Sequence, residues 1–400
     1  MTYTTDFTAT RAFFDLPDGI TYLDGNSLGP LPRHAAARVQ DMMTNEWGAM
    51  LITAWNKAGW MAAPRTVADR LAPLIGAEPG SVVLGDTLSV KVYQALASAL
   101  EMRPDRRVIL SDSGNFPSDL YMADGLIRSL DKGYELRVVD PHDVAAAISD
   151  EVAVMMLTQV DYRTGRRHDM ADLTTRAKAA GVVTVWDLAH SAGAFPVHLS
   201  DCGADFAVGC TYKYLNGGPG APAFIYVAPR LAETARPALS GWLGHEAPFA
   251  FDLDYRPGDG IDRMRVGTPA MLQVAALDAA LDVWDIADIA DVRARSVELG
   301  ERFIASVGVR CPDVTLGSPR SADDRGSQIG FRHPEGYAIM QALISEGVIG
   351  DFRAPDTLRF GICPLYNGED DIDRAVDVLE RILNERLWDR DEFKRRSAVT

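Results

Sequence analysis

Residues Gly181–Val227 read GVVTVWDLAHSAGAFPVHLSDCGADFAVGCTYKYLNGGPGAPAFIYV, and this stretch decides the fold. Three runs in it, Val182–Asp187, Asp205–Cys210 and Ala223–Val227, are short, apolar and rich in β-branched or aromatic residues, the pattern of strands buried on both faces. Upstream, Arg106–Leu110 and Val152–Leu157 have the same character. Asp172–Gly181 between them is Ala-rich and stops at a glycine, as a helix does. Strands alternating with helices imply a mostly parallel sheet covered on both sides, an α/β fold.

The C-terminal end has a different rhythm. Ile372, Val376, Leu379, Ile382 and Leu383 form one stripe of a long amphipathic helix. SQIGFRH (Ser327–His333) and TLRFGIC (Thr357–Cys363) before it have the character of strands of a small, partly antiparallel unit. The chain therefore divides into an N-terminal arm (1–50) packing with the small domain, a large α/β domain (51–299) and a smaller α+β domain (300–400).

A chain of 400 residues is long enough for a substantial core. Its net charge of −16 argues against nucleic acid, which needs a basic surface. No run approaches the roughly 18 apolar residues of a membrane span, and the first residues lack the basic and apolar regions of a signal peptide. Cys202, Cys210, Cys311 and Cys363 form no C-x-x-C pair, which points to reduced thiols in a cytoplasmic protein.

In open α/β sheets, ligands sit beyond the carboxyl ends of the strands. There the sequence places Asp187, His190 and Ser191 after one strand, and Thr211-Tyr212-Lys213 before Asn216-Gly217-Gly218 after another. Phe116 and Asp119 follow a third, and Thr87 and Ser89 open a further helix. A dinucleotide fits poorly. Gly218–Ala223 matches G-x-G-x-x-A, but it precedes a strand, and Pro219 and Pro222 remove amides a pyrophosphate would use. No Gly-Lys dipeptide occurs, so a Walker-A loop is excluded. His190, His198, Cys202 and Cys210 lack the spacings of a zinc site.

Pyridoxal phosphate needs a Schiff-base lysine, an anion for its ring nitrogen and donors for its phosphate. Of six lysines, Lys91 and Lys178 fall in helices, Lys132 in a turn, Lys394 in a charged tail and Lys57 in a helix-like or loop stretch. Lys213 alone follows a buried strand and precedes small residues that leave room for a ring. Taken singly, Lys213 reads as a loop lysine and Asp187 as a helix cap. Together with the Phe-Pro-Ser-Asp loop they read as a cofactor site.

The residues also resemble a known family. YLDGNSLGPLP, NFPSD, WDLAHSAGA, GCTYKYLNGGPGAPAF, SGWLGH, RVGTPAML and LRFGICPLYN are similar to segments of the kynureninases, members of the fold type I pyridoxal-phosphate enzymes. The matches run from Tyr22 to Asn367. The resemblance implies that Lys213 holds the cofactor covalently, Asp187 pairs with its ring nitrogen, Phe116 stacks on the ring and His190 lies at its reactive edge. It implies that Leu88, Ser89 and Tyr212 hold the phosphate, with Asp119 also in the cofactor site. Trp242 and Thr268 are implied to complete the site from the partner of a homodimer, and Arg359 to grip the substrate carboxylate as a bidentate fork.

The implied reaction is hydrolysis of L-kynurenine to anthranilate and L-alanine in tryptophan catabolism, with Lys213, Tyr212 and His190 handling protons. Gly267-Thr268 stands where animal members tend to carry Ser-Asn, as in the bacterial branch. Gly267 and Trp55 are assigned to the pocket for the aryl ring, with L-kynurenine, and secondarily 3-hydroxykynurenine, as its ligand. A cysteine desulfurase or aminotransferase of the same fold is the rival reading, and a non-catalytic cofactor-binding protein a more distant one. A desulfurase needs an exposed, reactive thiolate, whereas Cys311 and Cys363 have apolar or proline neighbours.

Overall fold

The computed structural model describes residues 3–396. Its central sheet has seven strands: β1 (Val82–Leu84), β2 (Val108–Asp112), β3 (Glu135–Val139), β4 (Val152–Thr158), β5 (Val183–Asp187), β6 (Phe206–Gly209) and β7 (Phe224–Val227). Their order across the sheet is β1-β7-β6-β5-β4-β2-β3. From β6 to β3 every pairing is parallel. Only β7 runs against its neighbours β6 and β1. The loop from Cys210 to Ala223 is therefore the return of an antiparallel pair, not a helical crossover.

The five strands expected from the sequence are present with ends shifted by at most two residues. Two others were not expected. β1 has three residues, too few for a period, and β3 lies at the sheet edge with Glu135 exposed and no continuous apolar run. Helix α1 (Leu88–Glu101) covers one face of the sheet, burying Val92, Ala95, Leu96 and Ala99 against Val83, Val208 and Ile225. Helices α2 (Pro117–Leu130) and α3 (Met170–Ala179) follow β2 and β4, as crossovers between parallel strands do.

Helix α4 (Ile289–Arg310) leads out of this layer, and residue 300 lies within it. Beyond it, Gln328–Arg332 and Thr357–Gly361 pair antiparallel at the centre of a four-stranded sheet. The last long helix, α5 (Glu369–Asn384), begins where Asp371 accepts the Gly368 N–H at 2.8 Å, and three acidic residues in its first turn suit its dipole. Ile372, Val376, Leu379 and Ile382 are buried against Leu299, Phe303 and Val307 of α4, while Leu383 sits at the rim. Leu23 belongs to the same core, and Thr21–Tyr22 pairs in parallel with Val348–Ile349. Residues 21–24 of the N-terminal arm are thereby fixed to the small unit, Asp24 bridging to Gly361, whereas Phe14 and Met42 of the same arm pack into the core of the large layer.

Candidate active site

The carboxyl ends of β2, β4, β5 and β6 open on one side of the sheet, and the polar residues meet there. Asp187 is the last residue of β5, in register with Thr158 of β4 and Val208 of β6. It is 2% exposed, and one carboxylate oxygen accepts the Ala189 N–H at 2.9 Å. Burial lifts its pKa to about 6 against the opposing pull of Lys213. The neighbouring Asp119, from the first turn of α2, is also buried, and one of its oxygens has no partner. Burial first, then the charge of Asp187, holds its carboxyl well above the usual range.

Lys213 lies in the turn after β6, and its ammonium is 3.0 Å from His190 Nε2. It also sits 5.7 Å from the centre of the Tyr212 ring. Asn216, Gly218 and Gly220 all have positive φ, which coils the loop back toward β7. Gly29 of the arm packs so tightly beneath Lys213 that a Cβ there would lie 2.5 Å from the Lys213 carbonyl oxygen. His190 is buried, with no hydrogen-bond partner at Nδ1 although Gln328 lies beside the ring. Burial, followed by the charges of Lys213, Arg359 and Arg353, holds it well below its ordinary pKa, so the imidazole is neutral. Tyr212 is shifted upward by Cys210 and by burial, and its phenol keeps its proton.

Two helix N-termini converge on the same opening. Thr87 and Phe116 precede α1 and α2, and neither caps its helix through a side chain. The Ser89 and Ser118 hydroxyls stand 3.1 Å apart between them. Uncapped amides, two helix dipoles and a pair of hydroxyls form a seat for a phosphate dianion. Leu88 is the first residue of α1. Phe116 is 42% exposed, touching Tyr162 edge-on with centroids 5.2 Å apart. Ser118 was not singled out from sequence, although its place at the start of α2 in NFPSD was a usable signal.

Arg359 is 1% exposed. Its Nε donates to Asp351 at 2.7 Å, one terminal nitrogen bonds Asp351 and Ser27 Oγ (2.8 Å), and the other donates to the Tyr162 carbonyl at 2.5 Å. Four of its five N–H groups are thus engaged within the chain. Arg353 shares Asp351 at 2.8 Å, and its Nε has no partner. Sequence reasoning missed Asp351, Arg353, Ser27 and Asp24. The carboxyl of Asp24 is pushed up to about 8, chiefly by burial and then by Asp351. The signal was the pair of acids in DGNSLG and GDFR facing one arginine.

Four expected residues stand apart from Lys213. Trp242 is 40% exposed and meets Phe249 edge-on, Gly267 and Thr268 are exposed, and Trp55 packs on Trp60. Among the described residues no hydrogen bond, ion pair or ring contact joins them to Lys213 of the same chain.

A lysine paired with a neutral histidine, a buried carboxylate behind it and a two-helix phosphate seat define the class: a fold type I pyridoxal-phosphate enzyme. The orphaned oxygen of Asp119 and the uncapped helix starts fit the polar groups and the phosphate of such a cofactor. The backbone is similar to that of a cysteine desulfurase from Escherichia coli (TM-score 0.78, 20% identity, 95% of this chain and 99% of that one). It is also similar to a C-DES mutant solved with glycine covalently linked to its PLP cofactor (TM-score 0.79, 19% identity, 92% and 98%). At these identities the likeness is one of fold. Among the described thiols Cys210, Cys311 and Cys363 are buried and Cys202 is partly covered.

Sequence relatives are far nearer. The chain is 50% identical over 397 residues to a kynureninase of Burkholderia pseudomallei and 47% identical to one of Pseudomonas fluorescens, each match covering 98% of this chain and 95% of the relative. Residues 292–379 match the kynureninase C-terminal domain model. The chain belongs to the kynureninase family.

Proposed function

We propose that this chain hydrolyses L-kynurenine to anthranilate and L-alanine, with Lys213 as the covalent anchor and principal proton carrier. The Lys213–His190 pair above buried Asp187 carries the reading. When bound, pyridoxal phosphate supplies an electron sink for the pair left as the substrate α-carbon gives up its proton. Lys213, on a loop set by β6, takes that proton and returns it. Asp187 holds positive charge at the ring nitrogen. Neutral His190 leaves the Lys213 amine free of a competing cation. Tyr212, still protonated, is the proposed phenol donor to the phosphate.

Across the whole reaction the bond between the β-carbon and the aryl carbonyl breaks. Water gives its oxygen to the carbonyl carbon, which becomes the anthranilate carboxylate, and a proton to the β-carbon, which becomes the methyl of alanine. Mixing purified protein with L-kynurenine and identifying the products tests this. Pyruvate or an intact amino ketone in place of anthranilate and alanine would overturn it.

Arg359 is the proposed partner of the substrate carboxylate through its one uncommitted N–H, not through the bidentate fork expected from sequence, with Arg353 adding a second guanidinium on the same Asp351. Arg359→Ala should raise KM by about tenfold or more, with a smaller loss in kcat. An unchanged KM would remove Arg359 from substrate binding.

The active unit is proposed to be a cytosolic homodimer in which Trp242 and Thr268 serve the partner's site. The exposure of both residues, away from Lys213 of their own chain, supports this. Among the described residues no helix is long and apolar enough to cross a membrane. The aryl pocket is proposed to prefer the unsubstituted ring. A pocket built to bond a hydroxyl rejects an analogue lacking it, because its polar groups go unpaired. Gly267 offers no side chain and has open space where a Cβ would stand, and Trp55 offers mainly apolar ring surface with a single N–H donor and no acceptor for a hydroxyl proton. The expected result is a higher kcat/KM for L-kynurenine than for 3-hydroxykynurenine, and the reverse order would show a hydroxyl partner in the pocket.

A further inference from the structure

Lys91 faces the protein interior from the first turn of α1, and its side chain has no exposure to solvent. Its ammonium meets Asp86 at 3.2 Å, Gln94 Oε1 at 2.9 Å and the Met264 carbonyl at 3.1 Å. All three donors are therefore used. A buried ammonium is costly unless paired in this way, and the neighbouring inward positions Val92, Ala95 and Leu96 carry apolar side chains.

The partners belong to two segments that the proposed site needs. Asp86 has φ 56°, left-handed backbone that a non-glycine residue seldom adopts, in the turn joining β1 to the phosphate seat at Leu88–Ser89. The backbone of this turn is bonded to β7: Gly85 N–H donates to Ala223 O at 2.9 Å, and Ala223 N–H to Asp86 O at 3.0 Å. Met264 closes a short helical turn, Gly260–Met264, from which the chain runs directly to Gly267 and Thr268. Gln94 reinforces that contact, its amide donating to the same carbonyl at 3.3 Å. Gly85, Asp86, Lys91, Gly267 and Thr268 share one small cavity of about 140 Å³. One ammonium thus ties the phosphate-seat turn to the segment assigned to the partner's site.

We propose that Lys91 is a positioning residue for the cofactor phosphate: by clamping Asp86 and Met264 it fixes the turn that aims the α1 N-terminus. This rests on the assignment of pyridoxal phosphate to the Lys213 site. The unused Lys91 charge has no other task in the reaction, and the residue touches neither Lys213 nor Asp187.

The test titrates apoenzyme with pyridoxal phosphate and, separately, with pyridoxal, which lacks the phosphate. Lys91→Met should weaken pyridoxal phosphate about tenfold and leave pyridoxal within about twofold, a split that general damage to the fold would not produce. Asp86→Ala should show the same split, and Asp86→Asn, which keeps an acceptor and tolerates positive φ, should recover most of it. The double variant Lys91→Met/Asp86→Ala should bind no more weakly than the poorer single variant, because both remove one contact. Equal weakening of both ligands, or none, overturns the proposal. Should Lys91→Met fail to fold, the Asp86 pair decides: Asp86→Ala within twofold of the unaltered protein overturns it. An unaltered apoenzyme that takes up neither ligand would instead remove the cofactor assignment, and this proposal with it.

Discussion

Lys213→Ala should lower kcat by more than about 10⁴-fold, since positioned proton transfer alone contributes 10²–10⁴ and the covalent anchor disappears with it. Its Nζ stands 3.0 Å from His190 and 5.7 Å from the centre of the Tyr212 ring, on a partly exposed residue, while the wholly buried Lys91 is bonded on all sides. Borohydride added to the yellow holoenzyme should fix the cofactor to the peptide that contains Lys213. Label on the Lys57 or Lys91 peptide would move the site. Lys213→Arg should not rescue, because a guanidinium stays protonated and cannot act as the nucleophile. The two readouts are independent: labelling reports attachment, and the kinetic loss reports attachment plus proton transfer.

The Lys213 loop was legible because two signals coincide there. An apolar strand ends at Gly209, and small residues with positive φ follow the lysine, so the local pattern states both where the chain emerges and how it turns. Asp187 was legible for the same reason, as a charged residue closing a short strand of mostly β-branched and aromatic residues. What escaped was long-range pairing. Asp351 has Arg353 and Arg359 two and eight residues on, but no local period shows that both turn onto it together with Ser27, 324 residues away. Lys91 was correctly placed in a helix. Its burial was not foreseen, because the partner that makes burial tolerable, the Met264 carbonyl, lies 173 residues away. Strand β3 escaped because an edge strand need not be continuously apolar, and β1 because three residues show no period. The motifs of the kynureninase family pointed to residues that periodicity could not, Trp242 and Thr268 among them, and neither meets Lys213 of its own chain.

Asp187→Asn should reduce kcat by on the order of 10²–10³-fold while changing KM little, the loss seen when one preorganised electrostatic group is removed. The amide keeps the shape and the Ala189 contact but cannot hold a positive charge at the ring nitrogen. A second readout comes from the apoprotein. Burial raises the Asp187 pKa from its ordinary value of 3.8 to about 6, and burial and the charge of Asp187 raise Asp119 as well. A carboxyl raised in the folded state favours folding fully only below its unfolded pKa, and that contribution is lost as pH climbs through the folded value. The apoprotein Tm should therefore fall between about pH 4 and pH 7. Asp187→Asn should flatten that fall, both by removing one buried charge and by relieving Asp119 of its neighbour. In the holoenzyme a cation opposite Asp187 stabilises the ionised form, so cofactor should protect most at the high end of this window. An apoprotein whose Tm is level from pH 4 to pH 7, in both the unaltered chain and the variant, would mean that Asp187 is not the buried charge on which the site is built.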